Sequence, residues 1–370
     1  MKIYGTIGPS CLDVDILKEM FDQGMTGIRL NLSHISLTEA EDMIAIYHKA
    51  AAKAGVHHPE LLIDMQGPEI RIGSLDHPLS LTEGERVIIG QGGIPVPENI
   101  FPYLEEGQSL LLDDGKILLQ VAQSDAANGE ESKRKDREIS LVCHKNAGKS
   151  GICRVVRAGI LDSKKSLALP GKNIPSPALT IQDQENLKEA KNYGVTAIMQ
   201  PFVRSREDLL CVREAMKAAS CQDLTLLAKI ENQYGVDHLS DFMDLADEIV
   251  IARGDLGNAM PLWELPGVQR KISQRCLEKK KPFMVVTQML SSMERNPLPT
   301  RAEVSDIYYA AFGGANSVMV TGETAIGSYP VEVIRYLTQT ALRGCEDRLM
   351  AQTALKGCED RLIFSCMTEA

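Results

Sequence analysis

Short apolar runs alternate with amphipathic stretches along most of this chain, and this alternation limits the fold more than any other feature. The runs have the length of β-strands, and the stretches between them place apolar residues at helical spacing, as with Leu17, Met20 and Phe21. We count eight such strands between residues 2 and 321, each eventually followed by a helix. Eight β/α units with short connections predict an α/β fold of the (β/α)8 TIM-barrel class. The alternative is an open doubly wound sheet, which usually has fewer strands.

The alternation is interrupted after the third strand by a segment of different texture. Residues 73–171 contain strand-sized runs at 86–89, 110–112 and 117–121, separated by Gly, Pro and Asp turns. We predict a small all-β domain inserted after strand 3, where a barrel loop opens on the C-terminal face and the domain would act as a lid. The predicted domains are a discontinuous barrel of residues 1–72 and 172–349, a lid of residues 73–171 and a tail of residues 350–370.

The tail carries part of a tandem repeat with a period of 13 residues, since residues 339–349 recur almost unchanged as residues 352–362. Two copies do not make a solenoid, which needs at least three units. We expect the first copy to complete the eighth helix and the second to form an appended helix or a frayed end, without a chemical role.

The formal net charge of −10 argues against general binding to nucleic acid or to anionic membranes, because both need a basic surface. The basic run at residues 132–137 follows two glutamates and is expected to be a solvated turn. No apolar run reaches the roughly 18 residues of a membrane span, and no signal-like segment follows Met1. The nine cysteines include no CxxC pair and predict reduced thiols. These features predict a cytoplasmic protein with no nucleic-acid or membrane partner.

Polar residues follow the predicted strands at the end that forms the mouth of a barrel. Arg29, Asn31 and Ser33 are predicted to share one face of the second strand, and Lys229 and Glu231 one face of the fifth. The remaining ends carry Asp64 on the third strand, Arg253 and Asp255 on the sixth, Thr287 on the seventh, and Thr321 and Glu323 on the eighth. A salt bridge or a cap would explain any one of these residues, but it does not explain polar residues at so many ends.

These residue types favour phosphoryl transfer assisted by a divalent cation. Glu231 and Asp255 are hard oxygen ligands with no His or Cys nearby, so they predict Mg²⁺ or Mn²⁺ rather than zinc. Lys229 and Arg29 would meet the negative charge that develops on phosphoryl oxygens. The sequence has no Walker A motif, no kinase-type glycine-rich loop and no dinucleotide-binding fingerprint, so a nucleotide would bind by another route.

The chain also resembles the pyruvate kinase family from about residue 2 to residue 340. The resemblance is carried by specific segments in the family's order: KIYGTIGP at 2–9, RLNLSH at 29–34, DMQGPEIR at 64–71, SKK at 163–165 with LPG at 169–171, AKIEN at 228–232, ARGDLG at 252–257, TQML at 287–290, NPLPTRAE at 296–303 and GETA at 322–325. It implies a barrel with an inserted β lid, and transfer of the phosphoryl group of phosphoenolpyruvate to ADP, giving pyruvate and ATP.

The resemblance also implies a role for each matching residue. Lys229 would contact the phosphoryl group, and Arg29 the phosphate. The amides of Gly254 and Asp255, together with Thr287, would bind the carboxylate. Thr287 and Thr321 would lie near the water that protonates the enolate. Glu231 and Asp255 would bind Mg²⁺. The K⁺ ligands would be Asn31, Ser33, Asp64 and the carbonyl of Met65, and Glu69 is typical of potassium-dependent members. The nucleotide would be contacted by Pro9, Asn31, His34, Arg71 and Lys165.

The sequence departs from the family pattern at several positions. Gln66 replaces a usual Lys, Gln200-Pro201 replaces an Ala-Ser pair, and Thr321 replaces Ser. Met65 stands in place of Thr and Ile35 in place of Gly. The family's C-terminal regulatory domain has no counterpart in these residues, so we expect no sugar-phosphate effector control, and any homo-oligomer would form through the barrel.

Two other functions fit parts of the pattern. A non-catalytic relative that binds phosphoenolpyruvate or nucleotide and regulates a partner would account for Gln66 and the altered end of strand four. A metal-dependent aldolase or lyase on a similar barrel would use Glu231 and Asp255, but it has no use for Lys165, the potassium residues or a lid.

Overall fold

A computed structural model describes residues 1–33, 35–122, 150–172 and 174–368, with side chains described as far as residue 354. Eight parallel strands close into a barrel in the order β1-β15-β14-β13-β12-β11-β3-β2. Their bounds are Lys2–Thr6 (β1), Gly27–Asn31 (β2), Glu60–Asp64 (β3), Ala197–Gln200 (β11), Thr225–Ile230 (β12), Glu248–Ala252 (β13), Phe283–Val286 (β14) and Ser317–Met319 (β15). The predicted barrel is confirmed.

Most barrel strands are largely apolar on both faces because both faces are covered. On β13, Val250 and Ala252 point into a compact interior, whereas Ile249 and Ile251 pack in the larger cluster beneath the helices. The interior of the barrel is filled by Tyr4, Leu62, Ala197, Met199, Leu227, Val250, Ala252, Met284, Val286 and Met319. Burial on two sides explains why these strands appear in the sequence as continuous apolar runs rather than as alternating ones.

The helices begin where the sequence supplies capping side chains. Asp13 caps the first helix, and Thr180 and Thr300 each form a capping box with the acidic residue three positions later. The helix bounds are Val14–Asp22 (α1), Glu41–Lys53 (α2), Ile181–Glu189 (α3), Arg206–Ala218 (α4), Gln233–Asp237 (α5), Leu239–Phe242 (α6), Arg253–Ala259 (α7), Leu265–Glu278 (α8), Arg301–Phe312 (α9), Gly322–Ala325 (α10) and Pro330–Thr368 (α11).

The segment between β3 and α3 forms an antiparallel β domain, as predicted. Its strands are Leu79–Leu81 (β4), Arg86–Gly90 (β5), Ser109–Leu112 (β6), Ile117–Val121 (β7), Ser150–Arg157 (β8), Gly159–Leu161 (β9) and Leu167–Ala168 (β10). They form a five-stranded sheet in the order β10-β6-β7-β8-β5 and a separate β4-β9 pair. Ile100, Leu119 and Val155 belong to an apolar core of its own. We call this domain the lid.

Several strand ends differ from the prediction. β2 ends at Asn31, whose side-chain oxygen accepts the N–H of Ser33 at 3.1 Å, so Ser33 lies in a turn and not on the strand face. β11 ends at Gln200 because Pro201 has no N–H for the sheet. Lys229 lies within β12, as predicted. Glu231 and the residues expected at the ends of the sixth to eighth strands lie just beyond those strands, in irregular segments or short helices at the rim.

The two copies of the 13-residue repeat lie in one continuous helix, α11. The first copy packs on α9, where the Tyr308 hydroxyl donates to Asp347 at 2.9 Å and Arg348 donates to the carbonyl of Phe312 at 2.8 Å. The predicted basic turn at residues 132–137 lies outside the described residues. None of the described helices combines the length and the apolar character needed to cross a membrane.

Candidate active site

A lysine lies between two buried carboxylates at the C-terminal mouth of the barrel. The Nζ of Lys229 is 3.0 Å from Asp64 Oδ2 and 3.0 Å from Glu231 Oε1. Asp64 also accepts from Arg29, at 2.8 Å from Nε and 2.7 Å from Nη2. The exposed fraction of the side chain is 12% for Lys229, 3% for Asp64 and 1% for Glu231. Charges this well buried need partners, and here they neutralise one another.

These contacts stabilise the charged forms of Asp64 and Lys229. Burial opposes the ionised form of Asp64, but the charges of Lys229 and Arg29 outweigh it and hold its pKa below the ordinary value. Burial likewise opposes the charge of Lys229, but Asp64 and Glu231 outweigh it and raise its pKa. The lysine is therefore an ammonium at any physiological pH. It can supply positive charge, but it cannot act as a base.

Asp255 has no such compensation. Burial, followed by the neighbouring charge of Glu231, raises its pKa well above the ordinary value, and Lys229 offsets only part of this. Among the described residues, no cation forms an ion pair with Asp255. Glu69 also has a raised pKa because of burial, although Arg71 lies 2.5 Å away. Glu231 and Glu69 each have one cation as a partner, so Asp255 is the carboxylate of this group whose charge no described side chain balances.

The carboxylates fit a hard divalent cation by their chemistry and their excess charge. Within the described residues, no group of three or more His, Cys, Asp or Glu side chains is arranged to hold a metal by itself. Two carboxylates are still enough for Mg²⁺, which usually keeps water and substrate oxygens in the rest of its shell. The residues present therefore fit Mg²⁺ better than a metal held by protein ligands alone.

The short helix α7 brings Gly254 and Asp255 to the rim beside Thr287. They are its second and third residues, so their N–H groups have no partner within the helix. A Cβ on Gly254 would lie 2.9 Å from Cγ2 of Thr287, which places the two residues in contact. Thr287 follows β14 with a φ of 79°, in the left-handed region that β-branched residues rarely adopt.

Thr321 lies at the start of α10 and is fixed by a buried carboxylate. Glu323 accepts the N–H of Thr321 at 2.7 Å and its hydroxyl at 3.3 Å. The other oxygen of Glu323 accepts the N–H of Leu290 at 3.1 Å, in the loop that follows β14. The ends of β14 and β15 are therefore joined, and the Thr321 hydroxyl is held in one orientation.

The residues expected to hold potassium surround Asp64. Asn31 is the register partner of Asp64 on the neighbouring strand, and the N–H of Leu32 donates to the Asp64 carbonyl at 2.9 Å. Met65 is buried. Gln66, at a position usually occupied by Lys in the family, donates to the Ser33 carbonyl at 3.3 Å. The described residues of this set thus come together at the ends of β2 and β3.

The residues expected to contact a nucleotide are more dispersed. Arg71 pairs with Glu69 and donates to the Lys164 carbonyl at 2.9 Å, and Lys165 pairs with Asp113 of the lid at 2.9 Å. Pro9 is exposed on the barrel rim, and His34 lies outside the described residues. The sequence places Asp113 between two predicted strands of the lid, in one of the Asp-containing turns, and nothing in that pattern indicated that it would pair with Lys165.

Two cavities meet at this cluster. One of about 400 Å³ is lined by Arg29, Lys229, Arg71 and Lys165, among others, and a second of about 350 Å³ lies between the lid and α7. Both are lined by Glu69, Asp114 and Asp255. Lys229 faces the first cavity and Glu231 faces the second. Gly254, Thr287, Thr321 and Pro9 are not among the described residues that line either one.

The fold is a (β/α)8 barrel with an inserted β lid, and acidic and cationic side chains cluster at the mouth of the barrel. The protein therefore belongs to the class of lidded barrels that carry a polar site at the C-terminal ends of the strands. Comparison with known proteins identifies the family within that class. The family model for the pyruvate kinase barrel domain matches residues 1–135 and 128–334. The chain belongs to the pyruvate kinase family.

Individual relatives agree with this assignment. The chain is 36% identical over 351 residues to pyruvate kinase from Geobacillus stearothermophilus, covering 92% of the chain and 56% of the relative. It is 34% identical over 350 residues to the enzyme of that name from Staphylococcus saprophyticus, with the same coverage. The corresponding values for Borreliella burgdorferi pyruvate kinase are 32% over 356 residues, 94% of the chain and 69% of the relative. The chain thus spans little more than half the length of the first two.

Proposed function

We propose that this chain catalyses transfer of the phosphoryl group of phosphoenolpyruvate to ADP, giving pyruvate and ATP. The observation that carries the proposal is the buried ammonium of Lys229, held between Asp64 and Glu231 beside a guanidinium. Phosphoryl transfer needs fixed positive charge where negative charge develops on the equatorial oxygens, and little else from the protein. Because Asp64 fixes both cations, no reorganisation of the protein is needed when the phosphoryl group moves.

Glu231 and Asp255 would hold Mg²⁺ (or Mn²⁺), and Asn31, Ser33, Asp64 and the Met65 carbonyl would hold K⁺. When bound, the divalent ion would supply positive charge next to the phosphoryl and enolate oxygens. The raised pKa of Asp255 supports this role, since a carboxyl group crowded by Glu231 is more easily ionised when a cation is present.

The substrate carboxylate would bind where α7 meets the end of β14. The free N–H groups of Gly254 and Asp255 would donate to it, and the Thr287 hydroxyl would complete the pocket. Arg29 would contact the phosphate from the opposite side. This arrangement leaves the reacting carbon near Thr287 and Thr321, whose hydroxyls would orient the water that protonates the enolate. Glu323 keeps the Thr321 hydroxyl in place for that step.

The nucleotide would enter from the side of Arg71 and Lys165, with Pro9, Asn31 and His34 completing its site. Both cations are paired with acids in this structure, Arg71 with Glu69 and Lys165 with Asp113. The phosphates of ADP would replace these carboxylates as partners. Because Asp113 belongs to the lid, such an exchange would couple nucleotide binding to the position of the lid.

A coupled assay of pyruvate formation from phosphoenolpyruvate and ADP, with Mg²⁺ and K⁺, tests the proposal. We expect turnover by the unmodified chain and a loss of roughly a thousandfold or more in kcat for Lys229→Met, which removes the ammonium but keeps a side chain of similar length. Lys281→Met is a suitable control, since within the described part of the chain the hydrogen bond of that lysine goes to the Ala246 carbonyl, away from the barrel mouth. Metal-dependent binding of phosphoenolpyruvate without turnover would instead favour the non-catalytic regulator.

A further inference from the structure

The turn after β14 contains two consecutive residues in an unfavourable backbone conformation. Thr287 has a φ of 79° and Gln288 a φ of 54°, and neither is glycine. A β-branched residue at positive φ is a true outlier, and such strain persists only where the surroundings impose it. The question is which contacts impose it here.

A single guanidinium binds the carbonyls of both strained residues. Arg253 donates to the Thr287 carbonyl from Nε at 3.1 Å and from Nη2 at 2.7 Å, and to the Gln288 carbonyl from Nη2 at 3.2 Å. It also contacts the sulfur of Met289 at 2.9 Å. The planar fork of arginine can reach two carbonyl groups at once, which an ammonium cannot do with the same geometry.

The guanidinium is held from its other side by a helix outside the barrel. Nη1 of Arg253 lies 2.6 Å from Oδ2 of Asp306 on α9. The side chain of Arg253 is 10% exposed, whereas that of Asp306 is 34% exposed. Asp306 therefore neutralises and orients a buried cation, but it lies outside the residues to which we assign substrate or metal contacts.

Arg253 also belongs to the other half of the proposed carboxylate pocket. It is the first residue of α7 and directly precedes Gly254 and Asp255. Its backbone thus begins the helix whose N–H groups would hold the carboxylate, while its side chain fixes the Thr287 turn. Any movement of one half relative to the other would change the distance across the pocket.

We propose that Arg253, oriented by Asp306, is a positioning residue that holds the Thr287–Gln288 turn in the shape that binds the carboxylate of the three-carbon substrate. The inference rests on the proposed function, because it takes phosphoenolpyruvate as that substrate. It assigns Arg253 no contact with substrate. Its effect is transmitted through Thr287.

The test compares Arg253→Lys, Asp306→Asn and a matched control, Arg213→Lys. Arg213 donates to the Leu245 carbonyl at 3.0 and 2.8 Å and to Asp247 at 3.0 Å, so it has the same kinds of partner. Those partners precede β13 at the opposite end of the barrel. The readouts are KM for phosphoenolpyruvate, KM for ADP, and the calorimetric affinity for oxalate with Mg²⁺. Oxalate is a planar dicarboxylate with the shape and charge of the pyruvate enolate.

For Arg253→Lys we expect KM for phosphoenolpyruvate to rise about tenfold or more, with oxalate affinity weakened by a similar factor and KM for ADP nearly unchanged. Asp306→Asn should change the same quantities by a smaller factor. Arg213→Lys should lower the thermal midpoint without changing either KM. Equal effects on both KM values, or an unchanged affinity for oxalate, would overturn the proposal.

The two proposals can fail separately. An unmodified chain that binds oxalate but does not turn over would contradict the proposed function, and the oxalate affinities of the three variants would still decide whether Arg253 positions the turn.

Discussion

At the scale of single residues, Lys229 and Glu231 are separated by one residue but face different cavities. Lys229 lines the cavity shared with Arg29 and Arg71, and Glu231 lines the one between the lid and α7. Their side chains meet at 3.0 Å across the boundary. The pair can therefore serve the phosphoryl group on one side and a metal on the other.

This division predicts the effect of removing one charge. Glu231→Gln keeps the size of this buried side chain but removes one of the two carboxylates of the proposed Mg²⁺ site. We expect the Mg²⁺ concentration for half-maximal activity to rise at least roughly tenfold, with a lower kcat, in a Mg²⁺ titration of the coupled assay. Glu248→Gln is a control, because that buried carboxylate binds Ser317 at the opposite end of the barrel. An unchanged Mg²⁺ dependence would show that Glu231 is not a metal ligand.

At the scale of elements, one carboxylate joins the loop after β14 to the start of α9. Glu303 accepts the N–H groups of Ser292 at 2.7 Å and of Thr300 at 2.8 Å, together with both hydroxyls. Burial opposes its ionised form, but these hydrogen bonds outweigh burial and lower its pKa. The carboxylate of the capping box thus also anchors the loop that precedes α9.

The lowered pKa of Glu303 predicts a pH-dependent stability. A carboxyl group whose pKa is lower when folded adds stability that is complete above its unfolded pKa of about 4.3, and that is lost as the pH falls through the folded value. Glu303→Gln should cost about 1 kcal/mol at pH 7, and the difference from the unmodified chain should shrink below about pH 4. Thermal melting between pH 7 and pH 3.5 measures it.

The control for that measurement is Glu185→Gln, which alters an exposed pair with Lys188 and should have little effect at any pH. A Glu303→Gln difference that stays constant down to pH 3.5 would contradict the assigned cause.

At the scale of the whole molecule, the lid touches the barrel at a hairpin tip. Gly115 lies between β6 and β7 with a φ of 78°, and a Cβ there would come within 2.5 Å of Oδ1 of Asn258 on α7. The contact is three residues from Asp255, so the separation of lid and barrel is set next to the proposed metal site.

Gly115→Ala should displace the Asn258 side chain and so disturb the contact between the lid and α7. We expect kcat/KM to fall roughly tenfold or more, because a displacement of about 1 Å at a catalytic site has effects of this size. Gly107→Ala is a matched control, since Gly107 has a φ of 79° but nothing within 4 Å of its added Cβ. Both variants carry the same backbone strain. Steady-state kinetics and melting of the pair therefore separate the lid contact from strain, and equal kinetic losses in both would refute the role of the contact.

The sequence by itself determined the barrel, the inserted lid and the set of polar residues at the mouth. It could do so because apolar periodicity reports which faces are buried, and because parallel strands bring their C-terminal ends together. The capping boxes at Thr180 and Thr300 are equally local, since each joins residues only three positions apart.

Tertiary structure alone decided which side chains contact one another at the site. Three contacts join residues that are far apart in the chain: Lys229 with Asp64, Lys165 with Asp113 of the lid, and Arg253 with the Thr287 turn. The pKa values of Asp64 and Asp255 move in opposite directions for the same reason. Charge, burial and strain depend on the distance between side chains in space, which the order of residues along the chain does not specify.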